Sequence, residues 1–242
     1  IIDSLDDLND FDLHQNIKTR IEKAFVVGAS LEAFGVDIYS DDAIITRWDK
    51  RQRGDEIKRL STGWSKFDEI FGGYGNGELF TFMGPAHSGK SMYLINAGAN
   101  LALQKYNVAH ISLEMSEEIT TQRYDMRLLG MTKKELYDSN SESVKRLKEL
   151  LNKHIGNIVV KRYPSSSITA TTISTYLRRL ENIKQFKIDA LIVDYADILR
   201  SSNRYNDRRF ELENIYQELR NVAIEFNIHC ITATQLNREG LK

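Results

Sequence analysis

Residues 84–91 read Gly-Pro-Ala-His-Ser-Gly-Lys-Ser, a complete G-x-x-x-x-G-K-[ST] loop set between the apolar run 79–83 and a helix-like stretch. Few eight-residue segments constrain a fold so tightly, because the loop works only where a strand delivers it and a helix leaves it. Gly84 and Gly89 allow the main chain, with Pro85, Ala86, His87 and Ser88 between them, to wrap a triphosphate closely. The loop amides then turn inward at the positive end of a helix dipole. Lys90 is placed to reach the β and γ phosphates, and Ser91 to offer a hydroxyl to the Mg²⁺ that bridges them. Residues 84 to 91 are therefore the expected binding set for ATP, with Mg²⁺ as its companion.

The rest of the chain fits the fold this loop demands. From Leu60 onward, short apolar runs at 79–83, 108–113, 158–160, 190–193 and 228–233 alternate with helical patterns, as in a parallel sheet covered by helices. The clearest helix spans 209–226, where Leu212, Ile215, Tyr216, Leu219, Val222, Ala223 and Phe226 recur at three and four residues and should pack on the sheet. Gly72, Gly73, Gly75 and Gly77 mark a turn before the first core strand. The expected fold class is α/β, a P-loop domain with a mostly parallel sheet, over residues 56–242. Residues 1–55 differ: an acidic start leads to a helix expected over 13–34. The charged stretch 49–59 reads as a linker, with Arg47, Lys50, Arg51, Arg53, Lys58 and Arg59 as a basic cluster.

Composition narrows the function classes. The formal net charge of −1 over 242 residues gives no global attraction to nucleic acid, so any such contact needs a local basic loop. The single cysteine, Cys230, sits in an apolar run and reads as a buried inert thiol. No apolar stretch approaches the length of a membrane span and no signal peptide is visible, so no membrane role and a cytoplasmic location are expected. The five histidines lack zinc-ligand spacing.

Hydrolysis of a triphosphate requires a metal-positioning carboxylate, a carboxylate to orient water, and a γ-phosphate sensor. In an open α/β sheet these belong just beyond strand ends. Asp194 ends the run 190–193 and is the expected Mg²⁺ carboxylate beside Ser91. Asp197 reads as a cap of the following turn, and Asp189 as structural. Glu114 ends the second strand run and is the expected general base; Glu117 and Glu118 suit the positive end of the next helix. Gln235 ends the last run and is the expected sensor. Lys90, Glu114 and Gln235 form the expected catalytic set.

Together with S-L-E-M-S at 112–116, V-D-Y-A-D-I-L at 193–199 and T-Q-L-N-R at 234–238, these residues resemble the RecA-like core of the DnaB-type hexameric replicative helicases, including phage members. The resemblance covers roughly 60–242. It implies an ATP-driven motor that translocates on single-stranded DNA and unwinds duplex during replication. It implies a homo-oligomer, a hexameric ring, with a primase or helicase loader as further partners, in a bacterial or phage-infected cytoplasm. It also implies the roles given above to Lys90, Ser91, Glu114, Asp194 and Gln235. DNA would be held by loops on the ring's inner edge, for which Arg200, Arg204, Arg208 and Arg209 with Tyr205 are the candidates. Arg238 and Lys242 open a second loop. The helix expected over 13–34 would be the linker that packs on the next subunit. The chain departs from the family in carrying Ala196 and Asp197 where leucine and glutamine are usual. It also reaches Lys242 before the family's arginine finger, so weak hydrolysis is expected of it alone. The alternatives are a recombinase or clock-type RecA-like ATPase that unwinds nothing, and a nucleotide-binding module without turnover.

Overall fold

The computed structural model describes residues 37–53, 59–138, 140–153 and 155–236. The helix expected over 13–34 and the residues Lys58, Arg238 and Lys242 lie outside them. The chain divides into two units, residues 1–56 and 57–242. In the first, Ser40 precedes helix α1 (Asp41–Arg53) and its Oγ accepts from Ala43 N at 3.3 Å, with Asp41 and Asp42 in the first turn. These are the signals of a helix start. The stretch 49–53, expected as linker, is therefore helical. The basic side chains there do not oppose a helix, because lysine and arginine are good helix formers.

The second unit carries α2 (Ser65–Phe71), β1 (Leu79–Gly84), α3 (Lys90–Leu103), β2 (Val108–Ser112), α4 (Glu117–Leu129), α5 (Lys133–Asp138) and α6 (Asn140–Asn152). There follow β3 (Ile158–Arg162), α7 (Ala170–Lys184), β4 (Ala190–Asp194), a 3₁₀ turn at Ala196–Ile198, α8 (Arg208–Phe226) and β5 (His229–Gln235). All five expected strands form, each within a residue or two of its apolar run. They pair in parallel in the order β1-β5-β4-β2-β3.

Strands β2 and β4 are buried throughout, which is why they read as nearly continuous apolar runs. Successive side chains still alternate between the two faces. Ala190 and Ile192 pack with Leu94, Ala97 and Leu101 of α3. Leu191 and Val193 pack with Leu177 of α7 and Leu219 of α8 on the opposite face. Each fully buried leucine or isoleucine contributes about 1.5–3 kcal/mol. Close packing of α3 depends on Gly98, where a Cβ would fall 2.2 Å from Tyr124 Oη and 2.9 Å from Ile192 Cδ1.

The same alternation aims Asp194 at α3, on the side of Ile192. The chain leaves β2 towards β3 and leaves β4 towards β5, in opposite directions. That divergence opens a crevice beyond the carboxyl ends of β2 and β4, where ligands bind in open parallel sheets.

Candidate nucleotide site

Sheet register brings the distant motifs together. Gly84 lies opposite Gln235, and Ser112 lies opposite Asp194. The ladder continues past the strands, with Leu236 N donating to Gly84 O at 3.1 Å and Leu113 N to Asp194 O at 2.9 Å. The phosphate loop thus starts beside Gln235, and the residue before Glu114 is bonded to the main chain of Asp194.

The loop has the backbone its sequence demands. His87 and Gly89 adopt φ values of 60° and 87°, left-handed conformations that turn successive amides to one side. A Cβ on Gly84 would meet Ser88 Oγ at 2.5 Å, so a larger residue would push the loop out of shape. Helix α3 begins at Lys90 with no side chain capping its first amides, and these unpaired donors favour an anion. Lys90 Nζ donates to the carbonyls of Gly84 at 3.0 Å and Pro85 at 2.7 Å.

Ala86, His87, Gly89, Lys90, Ser91, Glu114, Asp194 and Gln235 all line one cleft of about 490 Å³, joined by Met92, Met115, Arg123 and Tyr195. Asp194 is wholly buried, and its Oδ1 accepts from Ser91 Oγ at 3.2 Å while Oδ2 has no hydrogen-bond partner among the described residues. Burial pushes its pKa up to about 6. The nearby Glu114 charge adds to the rise, and the Ser91 hydrogen bond with the charges of Arg123 and Lys90 opposes it. An orphaned buried carboxylate oxygen next to a hydroxyl is a donor set suited to a hard divalent cation. No group of three or more histidine, cysteine, aspartate or glutamate side chains is gathered to hold a metal among the described residues. One carboxylate and one hydroxyl suit Mg²⁺, which usually takes its remaining ligands from phosphate and water.

Two residues escaped the sequence reading. Arg123, on α4, enters the cleft; the only sequence signal was its place on the flank of a helix face whose Thr120 and Tyr124 are buried. Asp197 does not merely cap a turn. Its Oδ1 accepts from Tyr216 Oη at 2.6 Å and Thr234 Oγ1 at 3.0 Å, and its Oδ2 from Thr234 Oγ1 and Gln235 N, both at 2.9 Å. Asp189 is structural as expected, its Oδ2 accepting from Asn107 N at 2.8 Å. Glu117 does more than favour a helix end, for its Oε1 accepts from Arg162 N at 2.9 Å and ties α4 to the end of β3. Cys230 is buried, and burial pushes its thiol up to about 12, so it is inert.

None of Arg200, Arg204, Arg208 and Arg209 lines the cleft. The four are exposed on the segment between the 3₁₀ turn and α8 and on the first turn of α8. Arg208 pairs with Glu211 and donates to the carbonyl of Asp197; Arg209 pairs with Asp207 at 2.9 Å. No helix among the described residues is long and apolar enough to cross a membrane.

The sequence profile of the DnaB-like helicase C-terminal domain matches residues 59–241. The chain is 30% identical over 176 residues to the DnaB-like replicative helicase of Enterobacteria phage T4, a stretch covering 70% of this chain and 37% of that protein. It is 28% identical over 229 residues to the replicative DNA helicase DnaB of Rickettsia conorii, covering 86% and 44%. Two similar solved structures each have a TM-score of 0.67 at 18% identity. One is a DnaB-like replicative helicase described with its interactions with primase, matched over 94% of this chain and 56% of that one. The other is an isolated ATPase domain, matched over 82% and 72%. At that identity they establish a shared fold, the RecA-like one. The chain spans less than half the length of the curated relatives it matches.

Proposed function

The chain belongs to the DnaB-like helicase C-terminal domain family, and from that premise we propose that it is the ATP-hydrolysing motor domain of a replicative DNA helicase. The observation that carries the proposal is the convergence of Lys90, Ser91, Glu114, Asp194 and Gln235, drawn from four strand ends or their loops, on one cleft. Loop amides and Lys90 bind the β and γ phosphates of ATP. Ser91 and Asp194 hold Mg²⁺, which supplies charge neutralisation at those phosphates. Glu114 takes the proton of the attacking water; it is exposed at the cleft, open to solvent from which that water comes. Gln235 hydrogen-bonds through its amide to the γ phosphate and registers its loss.

Turnover is coupled to movement along single-stranded DNA and to duplex unwinding in replication. The working form is a homo-oligomeric ring, a hexamer, in the cytoplasm of a bacterium or phage-infected cell, with a primase or helicase loader as partner. Arg200 and Arg204 are exposed and make no side-chain hydrogen bond or ion pair with described residues, which supports a role in gripping DNA phosphates. Arg208, Arg209 and Arg238 extend the proposed DNA-binding set.

The test is ATP hydrolysis by the full-length protein with and without single-stranded DNA, with Glu114→Gln as control. DNA-stimulated hydrolysis that disappears in the variant is expected. Hydrolysis dependent on Glu114 but indifferent to DNA would reject the motor and favour a signalling or assembly ATPase.

A further inference from the structure

The carboxylate of Asp197 sits at the junction of three elements. It belongs to the 3₁₀ turn that follows β4, accepts from Thr234 and Gln235 at the end of β5, and accepts from Tyr216 on α8. Its main-chain carbonyl accepts from the Arg208 guanidinium in the first turn of α8. A second stitch lies just behind it, where Thr232 Oγ1 donates to Val193 O at 2.8 Å and accepts from Ala196 N at 3.0 Å. Every group that approaches the Asp197 carboxylate is a donor, and only an ionised carboxylate, with acceptor sites on both oxygens, serves them all. An asparagine would turn an N–H towards at least one of them.

We propose that Asp197 is a positioning residue that ties the end of the sensor strand to the first turns of α8, so that nucleotide state at Gln235 and the conformation of the basic segment 200–209 change together. The proposal rests on the reading of Gln235 as the γ-phosphate sensor. Gln235 has its backbone N–H held by Asp197 while its side chain faces the cleft. A shift of the amide towards or away from a phosphate moves the strand end, and with it the Thr234 hydroxyl and the Gln235 N–H. Asp197 receives that displacement at both oxygens. It passes it to Tyr216 and Arg208, which lie on the helix into which the basic segment leads. Physical coupling of this kind requires that both ends respond to the same change, and that is measurable.

Amide hydrogen exchange over residues 200–212 of the full-length protein would be compared without nucleotide and with Mg²⁺ and a non-hydrolysable ATP analogue. The wild type is expected to change protection there about fivefold or more, the lower end of ordinary coupling. Asp197→Asn is expected to lose that response while binding the analogue within about threefold of wild type. Thr234→Val should do the same, and Thr234→Ser, which restores the hydroxyl, should recover it. A merely structural role for Asp197 would not produce loss and recovery of a nucleotide response at constant affinity. Should Asp197→Asn fail to fold, the Thr234→Val and Thr234→Ser pair decides. A wild type whose segment ignores nucleotide, or an Asp197→Asn that responds as wild type does, overturns the proposal. Gln235→Ala separates the two ideas: a response kept in Gln235→Ala but lost in Asp197→Asn would reject the sensor reading and leave the tie standing.

Discussion

Ser91 Oγ donates to Asp194 Oδ1 at 3.2 Å, joining the first turn of α3 to the end of β4 across 103 positions of sequence. That bond leaves the other carboxylate oxygen buried without a partner among the described residues. Burial pushes Asp194 from 3.8 up to about 6. In protein free of nucleotide and metal, the native state then holds a proton between pH 3.8 and about 6 that the unfolded chain has released. The unfolded state binds fewer protons, so stability falls as pH rises through that window. At about 1.4 kcal/mol per pH unit the decrease amounts to about 3 kcal/mol. Asp194→Asn should abolish this slope, melt higher than wild type at pH 7, and lose Mg²⁺-dependent hydrolysis. Thermal melts from pH 4 to 7 check it; equal slopes in the two proteins would refute the assignment.

Glu114→Gln should keep ATP binding and lose hydrolysis by about 10²–10⁴-fold, the usual contribution of a positioned general base. The amide preserves size and hydrogen bonding but cannot accept the proton of water. Nucleotide affinity and single-turnover hydrolysis, measured on the same preparation, check it. Unchanged turnover would move the base elsewhere.

Arg123 lines the cleft, and its charge favours ionised Asp194. Arg123→Ala should weaken ATP binding by about tenfold, the effect of one charged hydrogen bond of about 1.4 kcal/mol, with Arg123→Lys between the two. Titration with a fluorescent ATP analogue reads the difference. Equal affinities would leave Arg123 with no part in binding.

Most of the site was legible because each of its residues follows an apolar run or belongs to a contiguous loop. Glu114, Asp194 and Gln235 are strand-end polar residues, and a parallel sheet gathers such ends on one edge whatever their separation in sequence. Arg123 and Asp197 were not legible for a corresponding reason. Arg123 reaches the cleft from a helix side, where its spacing is that of any solvated arginine. The partners of Asp197 lie on β5 and α8, and nothing in the local pattern 193–199 announces them. In α1, the charged stretch 49–53 masked a helix whose start is marked by Ser40, Asp41 and Asp42 instead.

His110 shows how firmly the sheet holds its helices. It is wholly buried in β2, its Nδ1 sits 2.7 Å from Tyr124 Oη on α4, and burial pulls its pKa down to about 3. Tyr124→Phe would leave a second buried ring nitrogen without a partner, since Nε2 already has none among the described residues. The expected cost is about 1–3 kcal/mol, a fall in melting temperature of about 2–10 °C. A melt followed by circular dichroism tests it, and an unchanged midpoint would show the pair to be dispensable.

The four basic side chains on the segment from Arg200 to Arg209 are not equivalent. Arg209 is bound to Asp207 through both its guanidinium and its backbone amide, and Arg208 is committed to Glu211 and the Asp197 carbonyl. Releasing either guanidinium to a DNA phosphate would first require breaking an existing pair, so their net gain is small. Arg200 and Arg204 have no such pair to break and should supply the phosphate contacts. For single strands the slope of log affinity against log salt falls by about 0.7 for each phosphate that is no longer neutralised. The double variant Arg200→Ala, Arg204→Ala should therefore flatten the slope by about 1.4 and weaken binding to oligo-dT most at low salt, while Arg209→Ala changes both little. Fluorescence anisotropy from about 50 to about 300 mM salt distinguishes them; a larger effect from Arg209→Ala than from the double variant would reverse the order of importance.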